Sequence, residues 1–353
     1  MMKQKIVMCL LAGMLVLGMS GCGTQEVEVP EVENVETAEE EPVPEETDTE
    51  TAQEETLAEG KTEAEEEPEQ LDAETAPEEA PVKEDAVEPE ETEAASAPVV
   101  YEDGGQITLD PSWTYADHSK INSGAAVLYK AAENRKEIVV GVNAGHGTSG
   151  GTKVKTLCHP DGSAKVTGGT TAAGATEAVA VSSGMTFNDG TPESSVTLRM
   201  AQILKEKLLA AGYDVLMLRD GDDVQLDNVA RTVICNNAAD CHIALHWDGD
   251  GLNYDKGCFY ISVPDGLKSM EPVASHWSEH NALGSALVEG LRAQGAKING
   301  GGSMSIDLTQ TSYSTVPSVD MELGNACSDH SDSVLDLLGN GLVQGVNSYF
   351  GQS

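Results

Sequence analysis

The sequence predicts an α/β fold: a single three-layer domain with a largely parallel or mixed sheet flanked by helices, preceded by a disordered acidic linker. Apolar, strand-like runs alternate with segments of helical periodicity across residues 100–353, and this alternation is typical of a parallel sheet covered by helices. The formal net charge is −40, but residues 26–99 hold 30 of the 60 acidic side chains and only two lysines. A tract with so few apolar residues cannot bury enough surface to offset its chain entropy.

The negative charge also excludes one class of partner. Residues 100–353 alone carry a formal charge of −14, and such a surface repels the phosphate backbone of nucleic acids. We therefore expect no nucleic acid among the ligands of the folded region.

The first residues of the chain have the pattern of an export signal. Lys3 and Lys5 precede an apolar run, 6–19, that is too short for a comfortable membrane span. The segment Met19-Ser20-Gly21-Cys22 is similar to a bacterial lipobox, in which the cysteine is lipidated and becomes the new N-terminus. We therefore predict a signal peptide over 1–21 and an exported protein that is lipid-anchored to the bacterial cell membrane through Cys22. The alternatives are an ordinary signal peptide with an incidental cysteine and a retained transmembrane helix.

Residues 22–99 are predicted to link this anchor to the folded domain at 100–353. As a plain coil, the acidic part of this linker spans roughly 50 Å. Repulsion among its glutamates extends it further, so we interpret it as a tether. A merely solubilising linker is the alternative interpretation.

The first elements of the folded region can be assigned in order. Residues 123–135 have the pattern of a helix, and 137–143 is predicted as a buried strand that ends in a glycine-rich turn. Residues 147–191 are rich in Gly, Thr, Ser and Ala, which indicates an insertion that forms a long loop or a small hairpin subdomain. A helix is expected to begin at Thr191-Pro192-Glu193, because threonine can cap it, proline suits its first position and glutamate matches its dipole. Gly212 ends this helix.

The later elements complete a core that extends over about 137–350. They are a strand at 213–218, a helix at 225–238, strands at 241–247 and 257–263, a helix at 279–294, a strand at 316–323 and a closing helix at 331–350.

Four residues of ligand type fall at the ends of these elements. His146 follows the first core strand within Asn-Ala-Gly-His-Gly, and Glu193 lies in the first turn of the next helix. His246 and Glu322 lie near the carboxyl ends of two later strands. Strand carboxyl ends and helix N-termini gather at one edge of a parallel α/β sheet, so the four side chains can converge. Two imidazoles and a carboxylate leave one open position on a tetrahedral zinc ion, as hydrolysis requires, and a further carboxylate can handle the proton.

In their order along the chain, these blocks resemble the zinc-dependent N-acetylmuramoyl-L-alanine amidases of bacterial cell walls. The resemblance covers roughly 137–350, and its main blocks lie at 138–147, 211–220, 231–246, 317–325 and 346–350. It implies one zinc ion per catalytic domain, held by His146, Glu193 and His246, with Glu322 as the catalytic acid and base. The implied reaction is hydrolysis of the amide between muramic acid and L-alanine, with peptidoglycan as the partner.

The sequence departs from the family pattern around Glu193. The insertion lengthens the spacing from His146, and Ser-Ser-Val-Thr follows Glu193 in place of the usual Lys-x-x-Asn. Glu177, within the insertion, is therefore the alternative metal ligand. Trp247 replaces a small residue after the second histidine, and it either binds substrate by stacking or only packs. The insertion itself either shapes substrate choice, covers the site or is a surface elaboration.

Other histidines and the cysteines offer alternatives to this metal site. The segment His276-Trp-Ser-Glu-His280 matches the H-x-x-E-H motif of inverted zinc proteases, which place it inside a long helix and add a further acidic ligand. His242 is interpreted as a packed or surface histidine. His159 and His330 have no identifiable partner, and His159, which could bind a metal together with Cys158, is interpreted as a loop surface residue. Five cysteines follow Cys22, an odd number that leaves at least one thiol free. No C-x-x-C spacing indicates a thiolate zinc site.

Three functions from different classes follow from these patterns. The favoured one is a surface-anchored zinc amidase that acts on peptidoglycan. The second is a zinc peptidase that cleaves another amide, and the third is a non-catalytic cell-wall-binding lipoprotein. The presence of all four ligand-type residues argues against the third.

Overall fold

The computed structural model describes residues 101–352, which adopt the predicted three-layer α/β architecture. The predicted signal peptide (1–21), the lipidation at Cys22 and the acidic linker (22–99) lie outside the described residues. Across the described part of the chain, no helix combines the length and the apolar character needed to cross a bilayer.

Residues 101–352 contain ten strands: β1 (Gln106–Ile107), β2 (Ala126–Tyr129), β3 (Val139–Ala144), β4 (Lys155–Leu157), β5 (Glu177–Val179), β6 (Asp214–Met217), β7 (Cys241–Asp248), β8 (Cys258–Ser262), β9 (Ile298–Ser305) and β10 (Ser318–Asn325). Strands β4 and β5 form a small separate pair within the insertion. The other eight form a mixed sheet, the middle layer of the domain, in the order β1-β2-β6-β3-β7-β10-β8-β9. The four central strands β6, β3, β7 and β10 are parallel. The carboxyl ends of these four strands therefore meet at one edge of the sheet, whereas β2 and β8 run antiparallel to their neighbours β6 and β10.

Helices cover both faces of this sheet. They are α1 (Glu193–Ala210), α2 (Asn228–Ala238), α3 (Val273–Ala293), α4 (Thr309–Tyr313) and α5 (Asp332–Tyr349). The apolar sides of α1, α3 and α5 pack on one face through residues such as Leu204, Leu287 and Leu342, all fully buried. Each such leucine contributes about 1.5–3 kcal/mol of burial free energy. Helix α2 covers the other face with Ile234, and it also packs against Tyr313 of α4 through Val233.

Two local predictions were wrong. The segment predicted as a helix over 123–135 contains β2, which pairs antiparallel with β6 and buries Ala126 and Leu128 against that strand's neighbours. A short apolar run is compatible with a helix or a strand. Here the pairing with β6 makes this segment a strand. Thr191 does not cap α1: the residue before the helix is Pro192, and no side-chain cap is present there.

The insertion contains the small hairpin that its composition allowed. Its strands β4 and β5 pair antiparallel, with Thr156 opposite Ala178. The sequence analysis also missed β1, β9 and α4. The cysteines of residues 101–352 form no disulfide, and four of the five are buried, where a thiol behaves as a small apolar side chain.

Candidate metal centre and cleft

The first candidate ligand, His146, lies in a tight turn directly after β3. His146 adopts a left-handed backbone conformation with φ of 65° and is followed by Gly147 with φ of 68°. A non-glycine residue is uncommon in this region, and such strained residues cluster at functional sites. The preceding residue must be glycine, because a Cβ at Gly145 would lie 2.2 Å from Cε1 of His246. The first glycine of the Gly-His-Gly signature is therefore explained by the close approach to His246, and the second by its positive φ and by Arg219, whose Nε would lie 2.6 Å from a Cβ at Gly147.

Two buried arginines hold this turn in place. Arg231 donates from Nη2 to the carbonyl oxygen of His146 at 2.8 Å and from Nη1 to Asn143 Oδ1 at 3.0 Å. Arg219 donates to the carbonyl oxygens of Ala144 at 3.1 Å and Gly145 at 3.0 Å. Backbone carbonyls of the turn thus find partners away from water, and the conformation of His146 is fixed.

His146, Glu193 and His246 converge at the carboxyl edge of the sheet. Nε2 of His146 lies 2.8 Å from Oε1 of Glu193, and Nδ1 of His246 lies 3.1 Å from the same oxygen. The two ring nitrogens are 3.0 Å apart. Within residues 101–352 this is the group whose donor atoms are close enough together to hold a metal ion.

The surrounding hydrogen bonds set the protonation of these donor atoms. Nδ1 of His146 donates to the carbonyl oxygen of Ser182 at 2.9 Å, so in the neutral ring Nε2 carries a lone pair. Glu193 is 2 % exposed and accepts from the backbone N–H groups of Met185 at 2.8 Å and Trp247 at 3.0 Å, which favours its ionised form.

The three donor atoms fit a tetrahedral cation. Metal–ligand bonds of about 2.0–2.2 Å place the ligand atoms of a tetrahedral site roughly 3.3 Å apart, close to the 2.8–3.1 Å seen among His146, Glu193 and His246. Lone pairs of a carboxylate and an imidazole face each other at short range here, and a cation between them removes the repulsion. The donor set of two nitrogens and one oxygen suits zinc.

Glu322 lies beside this group. It is the register partner of His246 in the parallel β7–β10 pair, so both side chains project from the same face of the sheet. Its Oε2 is shielded from solvent and has no hydrogen-bond partner. Burial raises the pKa of Glu322 well above its usual range, and the charge of Asp320 raises it further. A carboxyl group with a raised pKa is suited to exchange protons near neutral pH.

The two remaining sequence candidates, Glu177 and Trp247, differ in their distance from the converging residues. Glu177 is exposed in β5 and does not join the three converging residues. Trp247 is only 2 % exposed, and its ring packs edge-on against Phe187, with ring centroids 5.8 Å apart. This burial favours the packing alternative, but Trp247 also lines the cleft, so stacking on substrate stays a prediction.

The H-x-x-E-H segment lies in α3 and is not part of the converging group. His280 is buried, and its Nδ1 accepts from the N–H of Ser318 at 3.0 Å. His242 is fully buried, as the packing interpretation held. Burial lowers the pKa of both His242 and His280 to about 3, so they remain neutral.

Two loop histidines were misjudged. His159 is fully buried and its Nε2 lies 2.9 Å from Oδ1 of Asp307. His330 faces Asp189 across 3.2 Å, and its ring lies tilted against that of Phe187. The partners of both histidines are far away in the sequence, so neither partner was identified and His159 was wrongly placed on the loop surface.

The converging residues open into a cleft of about 440 Å³. The insertion forms one wall with Lys165, Thr170 and Ser183, and the opposite side includes Asp320 and Gln310. This wall contributes polar groups and glycines around the metal centre, so the insertion is more than a surface elaboration.

A buried ionic cluster attaches the wall to the rest of the domain. The carboxylate of Asp307 faces His159 and the ammonium of Lys165, the latter at 3.6 Å, and accepts from the N–H of Val166 at 2.7 Å. In return, the N–H of Asp307 donates to Thr167 Oγ1 at 2.7 Å. The hydrogen bonds from His159 and Val166 lower the pKa of Asp307 against the opposing effect of its burial.

Replacing Asp307 with alanine is expected to lower the free energy of unfolding by about 3 kcal/mol, because removal of one partner leaves buried charge uncompensated. The displaced wall should also raise KM for the substrate. Urea denaturation and steady-state kinetics measure the two effects, with Asp161→Ala, an exposed acid of the same insertion, as the matched control. An unchanged denaturation midpoint for Asp307→Ala would show that this cluster does not anchor the wall.

Asp320 is an acidic residue of the cleft that was not identified from the sequence. It lies two residues before Glu322 on β10, and one of its side-chain oxygens is 3.9 Å from Nε2 of His246. The available signal was a carboxylate between apolar Val319 and Met321 in a predicted buried strand, where an acidic residue is costly.

Comparison with known proteins agrees with this architecture. A family model described as N-acetylmuramoyl-L-alanine amidase matches residues 140–336. The crystal structure of the N-acetylmuramyl-L-alanine amidase Ami1 from Mycobacterium smegmatis is similar at a TM-score of 0.51 and 20 % identity, over 62 % of this chain and 99 % of that chain. Ami1 from Mycobacterium abscessus gives a TM-score of 0.48 at 21 % identity, over 61 % and 99 %. A comparison with curated protein sequences found no match.

The likeness to the Mycobacterium smegmatis structure, at 20 % identity, establishes the shared fold. The family itself follows from the match over 140–336, which spans more than half of the chain and includes the converging residues and Glu322. The chain therefore belongs to the N-acetylmuramoyl-L-alanine amidase family and is an enzyme of that class.

Proposed function

We propose that the protein is a zinc-dependent hydrolase that cleaves the amide between N-acetylmuramic acid and L-alanine in peptidoglycan. The observation that carries this proposal is the convergence of His146, Glu193 and His246 within 3.1 Å of one another. These three residues would hold the zinc ion at the cleft. Family membership supports the choice of substrate.

Glu322 carries out the proton transfers. When bound by these residues, zinc would supply Lewis-acid polarisation of the scissile carbonyl and would lower the pKa of the attacking water. Glu322 accepts a proton from the attacking water and delivers it to the nitrogen of the leaving L-alanine, so that water and the amide yield a carboxylic acid and an amine. Its position beside His246 and its unpartnered Oε2 support this role.

Neighbouring residues orient the side chains of the proposed ligands His146 and Glu193. Ser182, through its carbonyl oxygen, keeps Nε2 of His146 free to bind the ion. The N–H groups of Met185 and Trp247 hold the Glu193 carboxylate. Such supporting contacts keep ligands in place before the metal arrives and reduce the cost of ordering them.

Digestion of purified peptidoglycan tests the proposed bond. The expected products are new N-terminal L-alanine groups, without new reducing sugar ends. Internal peptide ends would favour the zinc peptidase alternative, and new reducing ends would identify cleavage of the glycan instead.

We further propose that the enzyme is exported and tethered at the membrane surface. The lipobox-like Cys22 would carry the lipid, and the acidic segment 22–99 would hold the domain at 100–353 away from the headgroups. Cys22→Ser is expected to move the protein from the membrane fraction to the soluble or secreted fraction. Fractionation and immunoblotting measure this shift, and continued membrane retention of Cys22→Ser would defeat the lipid anchor.

A further inference from the structure

We propose that Asp320 is a positioning residue for the metal centre. Its carboxylate accepts a hydrogen bond from the Nε2–H of His246 and thereby holds Nδ1 of that ring toward the ion. This inference rests on the metal site proposed above, and it assigns a role to a residue that the sequence analysis missed.

Without Asp320, His246 lacks the support that the other two proposed ligands have. His146 is oriented by the Ser182 carbonyl at 2.9 Å, and Glu193 is held by two backbone N–H groups. Nδ1 of His246 faces Glu193 and His146, and when this nitrogen binds the ion, the ring proton lies on Nε2. Among residues 101–352, the carboxylate near that nitrogen is Asp320, with Oδ2 at 3.9 Å.

The strand register places Asp320 on the same face of the sheet as His246. In the β7–β10 pair, Asp320 is the register partner of Ala244, two residues before His246. Parallel register partners project to the same face, and diagonal neighbours on that face are within reach of long side chains. A shift of roughly 1 Å by either side chain brings Oδ2 and Nε2 to hydrogen-bonding distance.

Burial of the Asp320 carboxylate costs free energy that a bound cation would offset. The side chain of Asp320 is 13 % exposed, and its Oδ1 is buried without a hydrogen-bond partner. Glu322 lies two residues away on the same strand face, so two carboxylates share a poorly hydrated site at a cost in free energy. A carboxylate that orients a ligand and adds negative charge next to a divalent cation recovers that cost when the metal binds.

Zinc affinity of the metal-free protein tests the proposal without relying on activity. Wild type, Asp320→Leu and Asp320→Asn are titrated with zinc in competition with a chromogenic chelator, and the thermal unfolding of each metal-free form is recorded. Asp320→Leu is expected to weaken zinc binding by about 10–100-fold, the usual effect of removing an orienting partner. Asp320→Asn keeps an acceptor oxygen and is expected to bind zinc more tightly than Asp320→Leu.

Thermal unfolding separates positioning from a structural role. The metal-free Asp320→Leu variant is expected to melt at the wild-type temperature or above, because it loses a poorly partnered carboxylate. Zinc affinity within about twofold of wild type for Asp320→Leu, or equal losses in the two variants, would overturn the proposal. A lower melting temperature of metal-free Asp320→Leu would also overturn it, in favour of a merely structural role.

A His246→Ala control distinguishes this inference from the proposed metal site. His246→Ala is expected to lose zinc binding much more severely than Asp320→Leu. If the wild-type protein binds no zinc, the proposed function fails together with the inference. If wild type binds zinc, His246→Ala does not, and Asp320→Leu binds as wild type does, only the role of Asp320 is rejected.

Discussion

Replacement of Glu322 with glutamine is expected to lower kcat by roughly 10²–10⁴-fold, the usual contribution of a positioned acid–base group, while zinc binding stays intact. Glutamine has nearly the same shape but cannot take up and return a proton at the reacting atoms. Glu322 adjoins His246 through the strand pairing, yet it is not one of the three converging donor residues. Steady-state kinetics on peptidoglycan fragments and zinc content of the purified variant measure the two effects.

The zinc content of Glu322→Gln distinguishes a role in proton transfer from a role as a metal ligand. Glu177→Gln, an exposed glutamate of the insertion, is the matched control and should keep both zinc and activity. If Glu322→Gln remains fully active, the assigned proton transfer is wrong. If the variant instead loses zinc, Glu322 is a metal ligand, and its assignment as the catalytic acid and base is wrong.

The second large effect is expected at Glu193. Glu193→Ala removes the oxygen that lies 2.8 Å from His146 Nε2 and 3.1 Å from His246 Nδ1. We expect zinc affinity to fall by more than about 100-fold, beyond the loss caused by changing an outer partner, and activity to fall with it. Chelator competition on metal-free protein gives the affinity directly.

Glu177 supplies the decisive comparison, because the sequence left it as the alternative ligand. Glu177→Ala should bind zinc as wild type does, since the side chain is exposed in β5. The opposite ranking, with zinc lost in Glu177→Ala and retained in Glu193→Ala, would contradict the proposed ligand set.

Local sequence patterns predicted the parts of the site that depend on short segments. The strand before His146, the helix that begins at Glu193 and the strands that carry His246 and Glu322 each have a clear pattern over fewer than twenty residues. Because these elements form a parallel sheet with its helices, the rule about strand carboxyl ends was enough to bring the four residues to one edge.

The features that the sequence did not reveal depend on distant partners. The strand at 126–129 was mistaken for a helix because its identity comes from pairing with 214–217. His159 was placed on the surface, although its partner Asp307 lies 148 residues later in the chain. The strand at 298–305 contains three consecutive glycines, which disfavour strands in isolation, and pairing with β8 overrides this preference.

Mass spectrometry of muropeptides, after digestion of purified peptidoglycan with and without a chelator, tests the central claim most directly. The account predicts free stem peptides that begin with L-alanine, together with glycan strands whose lactyl carboxyl groups are unsubstituted. It predicts that the chelator abolishes these products and that added zinc restores them. Products that arise from cleavage at another bond, or release that persists unchanged in the metal-free protein, would contradict the account.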